Sequence, residues 1–354
     1  MAVVAPPVVP TPADPASPVL RAARLRLGWL VGGAATVVVA VVVALAFGPV
    51  ALPAGDVVRE LLGFDTDLTA IQRTVLWEIR LPRVVLGLLV GSTLAISGAS
   101  YQGAFRNPLA DPYLLGAAAG AGLGVTLVIV GQAEGATPPV GTPVAAFIGA
   151  LAAVALTYLL GMAGSARVST ASLILAGVAV ATFLTAAQTY VQQRNQDTIR
   201  DVYNWILGRL STAGWGEVTL VLPYVVVSTA VLLAHRRRLD VLAVGDDEAA
   251  TLGLHARRTR LIIVVAASLG TAAAVAVSGL IAFVGIIVPH AVRLLAGASH
   301  RVILPLSFLF GGAFLVLTDV LARTVASPAE IPIGVVTAFL GAPFFVLVLR
   351  TSKR

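Results

Sequence analysis

Stretches of about 20 apolar residues recur along this chain, and nothing else in it constrains the fold as tightly. A helix rises about 1.5 Å per residue, so about 20 residues cross the roughly 30 Å hydrocarbon core of a bilayer. Lipid offers no partner to backbone N–H and C=O groups, so such segments must be helices or strands of a closed barrel. Runs of this length read as helices. Ten spans are expected, near 28–50, 82–104, 112–131, 142–163, 170–192, 214–234, 261–279, 281–297, 302–322 and 332–349. Only 12% of the 354 residues are charged and 58% are hydrophobic, against about 25% charged in a typical soluble domain. The fold class is an all-α polytopic membrane protein with about ten transmembrane helices.

Residues 1–27 form an N-terminal tail whose Pro-, Ala- and Val-rich start has no amphipathic period, so a disordered tail is expected. The apolar run that follows is longer than the roughly 7–15 residues of a signal-peptide core, which favours a retained span. Residues 28–349 make the membrane domain, with a loop at 235–260, and 350–354 make a short C-terminal tail. With both termini inside, sixteen of the 24 Lys and Arg residues fall on the inner side and eight outside, as the positive-inside rule requires. The net charge of +7 is thus a matter of membrane orientation. The partner it implies is the lipid bilayer, not nucleic acid. Segments 51–81 and 194–212 read as amphipathic pieces on the outer face. Ser97-Gly98 followed by Pro108, and Ser278-Gly279 followed by Pro289, share one offset that would fit an inverted repeat.

Catalytic chemistry finds no support. There is no cysteine, and His235, His255, His290 and His300 lie far apart without metal-ligand spacing. No cofactor site is legible. A P-loop needs Gly-Lys before Ser or Thr, and the single lysine is Lys353. If ATP drives this protein, the ATPase is another polypeptide. Asp319 is the clearest ionisable group within a span. It marks either an ion relay or a helix-to-helix pair, for instance with Arg323 one turn on.

"AVGDDEAATLGL", 243–254, breaks the apolar pattern. Gly245 can end the preceding loop. Asp246, Asp247 and Glu248 would sit in a first helical turn, where negative charge complements the helix dipole. Ala249, Ala250 and Leu252 offer a small apolar face, and Gly253 suits a C-terminal stop. Arginines flank the segment at 236–238 and at 257, 258 and 260. By itself the pattern fits a solvated connector or a handle for a partner.

Three stretches together resemble the FecCD-type permeases, the membrane subunits of ABC importers for iron-siderophores, haem and cobalamin. They are "EIRLPRVVLGLLVGSTLAISGASYQGAFRNPLADPYLLGAAAGAG" (78–122), "LAVGDDEAATLGL" (242–254), and "SGLIAFVGIIVPHAVRLLAGASHRVILP" (278–305) continuing into "DVLARTVASPAEIPIGVVTAFLGAPFF" (319–345). The resemblance implies a type II importer fold, a permease dimer with the path at the subunit interface, two cytoplasmic ATPase subunits and an extracytoplasmic substrate-binding protein. An iron(III)-siderophore is the first cargo it implies, with haem and cobalamin as alternatives.

The same resemblance assigns roles. Residues 245–250, 252 and 253 become the element that couples to the ATPase. Arg80, Arg83 and Arg323 match arginines that meet glutamates of the binding protein. Asn107 and Leu109, with Thr170 and Ala171, match positions narrowing the cytoplasmic end of the path. Ala171 departs from the usual Thr-Ser pair, which weakens that gate's polar lining. Without the resemblance, the arginines could equally snorkel to headgroups or pair with Glu78, and Asn107-Pro108 could be an ordinary turn.

Overall fold

The computed structural model describes residues 25–162 and 170–351. Nearly all of the expected N-terminal tail, and residues 352–354 of the C-terminal one, lie outside the described residues. The described chain is helical, without strands. Its long helices are α1 (Leu27–Ala46), α4 (Leu81–Phe105), α5 (Ala117–Ala133), α6 (Thr142–Met162), α7 (Thr170–Arg194), α9 (Trp215–Leu242), α11 (Ala256–Ser278), α12 (Val284–Ala296), α13 (His300–Thr324) and α14 (Ile333–Thr351). Seven helices are long and apolar enough to cross a membrane, one of them a continuous helical stretch from Ala70 to Phe105. The shorter apolar α5, α12 and α14 account for the remaining expected spans.

Connecting pieces gather at the two ends of the bundle. α2 (Ala54–Leu61), α3 (Ala70–Thr74) and a π-helical turn at Val75–Arg80 precede α4, and α8 (Ile199–Ile206) precedes α9. These realise the amphipathic segments expected at 51–81 and 194–212. Glu60 ties α2 to α3 by accepting from Arg73 Nε at 3.3 Å and Trp77 Nε1 at 3.4 Å. The acidic α10 (Asp246–Thr251) lies between α9 and α11, at the opposite end.

α4 is the axis of the fold. Every residue from Val90 to Phe105 is buried, and α9, α11, α12 and α13 pack around it. Within lipid there is little hydrophobic force between helices, so packing of small residues sets the approach. Gly98 of α4 lies directly on Gly285 of α12, where any Cβ would run into the Gly285 carbonyl. α7 is the opposite case. Leu175 and Phe183 are 71% and 70% exposed, and most of its surface has no neighbour within this chain.

One expectation is corrected. α9 does not stop near 234 but runs to Leu242. Its 28 residues span about 42 Å, so Arg236–Arg238 ride on helical turns beyond the apolar layer. The two Ser-Gly sites are also not locally equivalent. Gly98 lies inside α4, whereas Gly279 ends α11 with φ +70°.

Candidate functional site

α10 is held at both ends by glycine. Gly245 has φ +134°, which side chains rarely adopt, and a Cβ there would also strike the Glu248 carboxylate. At the other end Gly253 has φ +77°. Leu254 N donates to Ala249 O and Gly253 N to Ala250 O, both at 2.9 Å, the paired bonds of a Schellman stop. The six-residue helix thus presents two faces. Ala249 is fully buried. Asp247, Glu248, Ala250 and Leu252 are exposed, and Leu252 (69%) and Val244 (59%) are strongly so.

Asp246 does something different from its two acidic neighbours. Its Oδ1 accepts from Arg260 Nη2 at 2.7 Å and lies 3.6 Å from Arg106 Nη2. Arg260, only 8% exposed, also donates through Nε to Ala104 O at 2.9 Å. That carbonyl belongs to the last turn of α4, where a cation complements the helix dipole. One guanidinium therefore joins the start of α10, the base of α11 and the end of α4. Its hydrogen bond holds the Asp246 carboxyl below its ordinary value, with Arg106 adding to the effect. Arg106 itself is left-handed, φ +51°, at a helix end where glycine is usual. Asn107 N closes that end by donating to Gln102 O at 3.0 Å. A cleft of about 580 Å³ opens beside α10, lined by Arg106, Tyr158, Asp247, Glu248, Arg257 and Arg260 among others.

The candidate gate residues lie at this same end. Asn107 Oδ1 accepts from Leu109 N at 2.9 Å, the Asx turn that ends α4, and it leaves Leu109 40% exposed. Thr170 opens α7, with its side chain outside the described residues, and Ala171 is exposed. Nearby, Asp240 at the foot of α9 accepts from His300 N at 2.6 Å and Ser299 Oγ at 2.7 Å, capping the start of α13. His290, beside Pro289 on α12, sets its ring edge-on to Phe344 of α14 at 5.7 Å.

At the far end, the three arginines matched to docking are not displayed on the surface. Arg80, Arg83 and Arg323 are 3%, 9% and 3% exposed. Arg80 donates to Leu45 O at 2.6 Å, to Ala46 O at 3.1 Å and to Val50 O, and Arg323 Nη2 donates to Ala44 O at 2.5 Å. Two cations thus cap the last carbonyls of α1, the site where the helix dipole favours them. Glu78 pairs with none of the three. Arg83 grips Asp319 through Nε at 2.9 Å and Nη2 at 2.8 Å. It grips Glu330 through Nη1 and Nη2, each at 2.9 Å. The Arg323–Asp319 pair anticipated one turn apart is present but looser, at 3.7 Å. Asp319 is therefore a fork-held structural carboxylate rather than a free carrier. Arg83 also lines a polar cavity of about 220 Å³, shared with Asn204, Arg209, Ser211, Asp319 and Glu330.

The sequence marks Arg260 only as one of the basic flanks of α10 and assigns no role to Arg106 or Glu330. The signal for Arg260 was present, since an arginine four residues into α11 falls on its inward face. Glu330 carried none, because its partner is 247 positions away.

A bundle of apolar helices with an acidic connector at one end defines a multi-pass membrane protein. The model of the FecCD transport family matches residues 36–351, and the chain belongs to that family: it is a permease of an ABC importer. It is 45% identical over 281 residues to the cobalamin import system permease protein BtuC of Halobacterium salinarum, covering 79% of this chain and 74% of that one. It is 40% identical to the hemin transport system permease protein HmuU of Yersinia pestis (83% and 90%). It is 37% identical to the Fe(3+)-citrate import system permease protein YfmD of Bacillus subtilis (80% and 83%). A solved structure described as an inward-facing conformation of a metal-chelate type ABC transporter aligns over 92% of this chain and all of that one, with TM-score 0.81 at 29% identity. Permeases of this family are transport subunits that work with ATPase subunits and substrate-binding proteins.

Proposed function

We propose that this permease pairs with a second permease subunit and two cytoplasmic ATPases, and imports a metal chelate delivered by an extracytoplasmic binding protein. The cargo class rests on relatives named for cobalamin, haemin and Fe(3+)-citrate, all metals held by organic ligands. An iron(III)-siderophore is the first cargo to test, with haem and cobalamin beside it. The α10 end faces the cytoplasm, in accord with the charge count. The gate at Asn107, Leu109, Thr170 and Ala171 then lies on the cytoplasmic side.

The observation that carries the reading is α10 itself. A short helix with an exposed acidic and apolar face, tied by one buried arginine to the axial helix, suits transmission of ATPase closure into the bundle. Asp247, Glu248, Ala250 and Leu252 make the contact, and Asp246 passes the movement to Arg260 and α4. A second observation supports the partner permease. Thr182, Thr185, Thr189 and Gln193 line an exposed groove along α7; the Thr182 and Thr189 hydroxyls bond back to Val178 O and Thr185 O, so it is the exposed Gln193 amide that calls for a protein or water neighbour rather than lipid. In proteoliposomes, uptake should require ATP, the ATPase and the binding protein together. Uptake driven by an ion gradient with no ATPase would overturn the reading and revive a secondary transporter, for which Asp319 is poorly placed.

A further inference from the structure

The cavity at the end opposite α10 has an unusual charge balance. Arg83 lines it and Arg209 stands exposed on its rim, against two acids, Asp319 and Glu330, with Arg323 3.7 Å from Asp319. The two acids are held differently. Asp319 is 3% exposed and fixed within α13. Glu330 lies on the connection between α13 and α14, and its side chain is 36% exposed. That connection is positioned by two backbone bonds, Ile331 N to Ala322 O at 2.9 Å and Gly334 N to Leu207 O at 3.1 Å. Glu330 thereby presents both oxygens to both terminal nitrogens of Arg83, the fork geometry by which arginine recognises a carboxylate.

We propose that Glu330 is an internal placeholder for an incoming carboxylate. An acidic side chain of the substrate-binding protein enters past Arg209, Asn204 and Ser211 and exchanges with Glu330 on Arg83. The inference rests on the importer reading above. It explains how an arginine as buried as Arg83 can serve a partner at all: Asp319 stays on its Nε and Nη2, while at the outer side one carboxylate replaces another. Leaving it unpaired at this depth is what the protein must avoid. Arg80 and Arg323, committed to the end of α1, brace the site and stay put. Docking would release the 325–332 connection and with it the start of α14, so that binding outside is felt by a membrane helix. The exchange also lowers apparent affinity in the resting state, since a site occupied most of the time is available only for the remainder.

The test uses the whole importer in nanodiscs and, as probe, the purified binding protein that supports uptake by it. Glu330→Gln keeps the size and removes the competing charge. It should tighten binding about tenfold if the placeholder is engaged in about nine-tenths of molecules. Glu330→Asp, which keeps the charge, should stay within about twofold of the wild type on that arithmetic. Arg209→Gln, an exposed change with no fold to lose, should weaken binding several-fold. The chain has no cysteine, so Ser211→Cys provides a reporter on the native background, and bound partner should slow its labelling. Unchanged or weaker binding in Glu330→Gln overturns the exchange. Unslowed labelling at 211 together with unchanged affinity in Arg209→Gln removes docking at this cavity altogether. Failure of the binding protein to bind the wild-type importer would instead count against the importer reading.

Discussion

The two ends of the bundle hold carboxylates with arginine in opposite ways. At the α10 end one buried arginine, Arg260, reaches out to a half-exposed aspartate, and the rest of the acidic cluster stays free. At the far end three buried arginines turn inward, two to the carbonyls of α1 and one to a pair of acids, and almost nothing is displayed. The first arrangement is a handle, fixed at its root and open on its outer face. The second is a closed clasp, where charge serves the scaffold until another carboxylate takes over. Arg260 and Arg83 are equally buried; it is the exposure of the carboxylate, 42% for the Asp246 side chain against 5% for that of Asp319, that separates the two roles.

The largest effect should come from breaking the clasp. Arg83→Ala leaves Asp319 buried with only the 3.7 Å contact to Arg323, and should cost about 3–5 kcal/mol, read as a large fall in thermal stability in detergent. Arg260→Ala at the other end should cost less, about 1.5–3 kcal/mol for lost charge-assisted bonds. Its mark should be functional: the ATPase still associates and hydrolyses ATP, but uptake falls. Equal loss of stability from both variants would erase the distinction between clasp and handle. Gly245→Ala forces a side chain into φ +134° and should cost about 1–3 kcal/mol, with weaker ATPase association because the helix start moves.

A pH series sharpens the comparison further. The folded-state value of Asp246 is depressed, chiefly by Arg260. Its contribution is therefore complete above the ordinary value of 3.8 and is lost as pH falls through the depressed one. ATPase association should be flat from about pH 8 to pH 5. A drop within that window would point to a histidine instead. The smallest stability effect should come from Asp247→Ala and Glu248→Ala, within about 0.5 kcal/mol, measured beside a clear loss of ATPase affinity.

The helices were legible because a bilayer imposes one length on every span, and the glycine-bounded α10 was legible because turn chemistry is local. What escaped was set by tertiary distance. Helix 9 outran its apolar stretch because arginine is a good helix former, so hydropathy ended before the helix did. Arg80 and Arg323 looked available from sequence, yet the open carbonyls of α1 claim them across 35 and 279 positions. Asp246, Asp247 and Glu248 look alike in the chain. Only the fold shows that the first is pinned and the other two are free, since Arg260 comes within reach only when α11 packs beside α4.

The most direct measurement is the number of ATP molecules hydrolysed per cargo imported, in proteoliposomes with the complete importer. If α10 transmits ATPase closure through Asp246 and Arg260, Arg260→Ala should raise that ratio about tenfold or more while ATPase association stays near wild type. An unchanged ratio in Arg260→Ala, with uptake intact, would contradict the assignment.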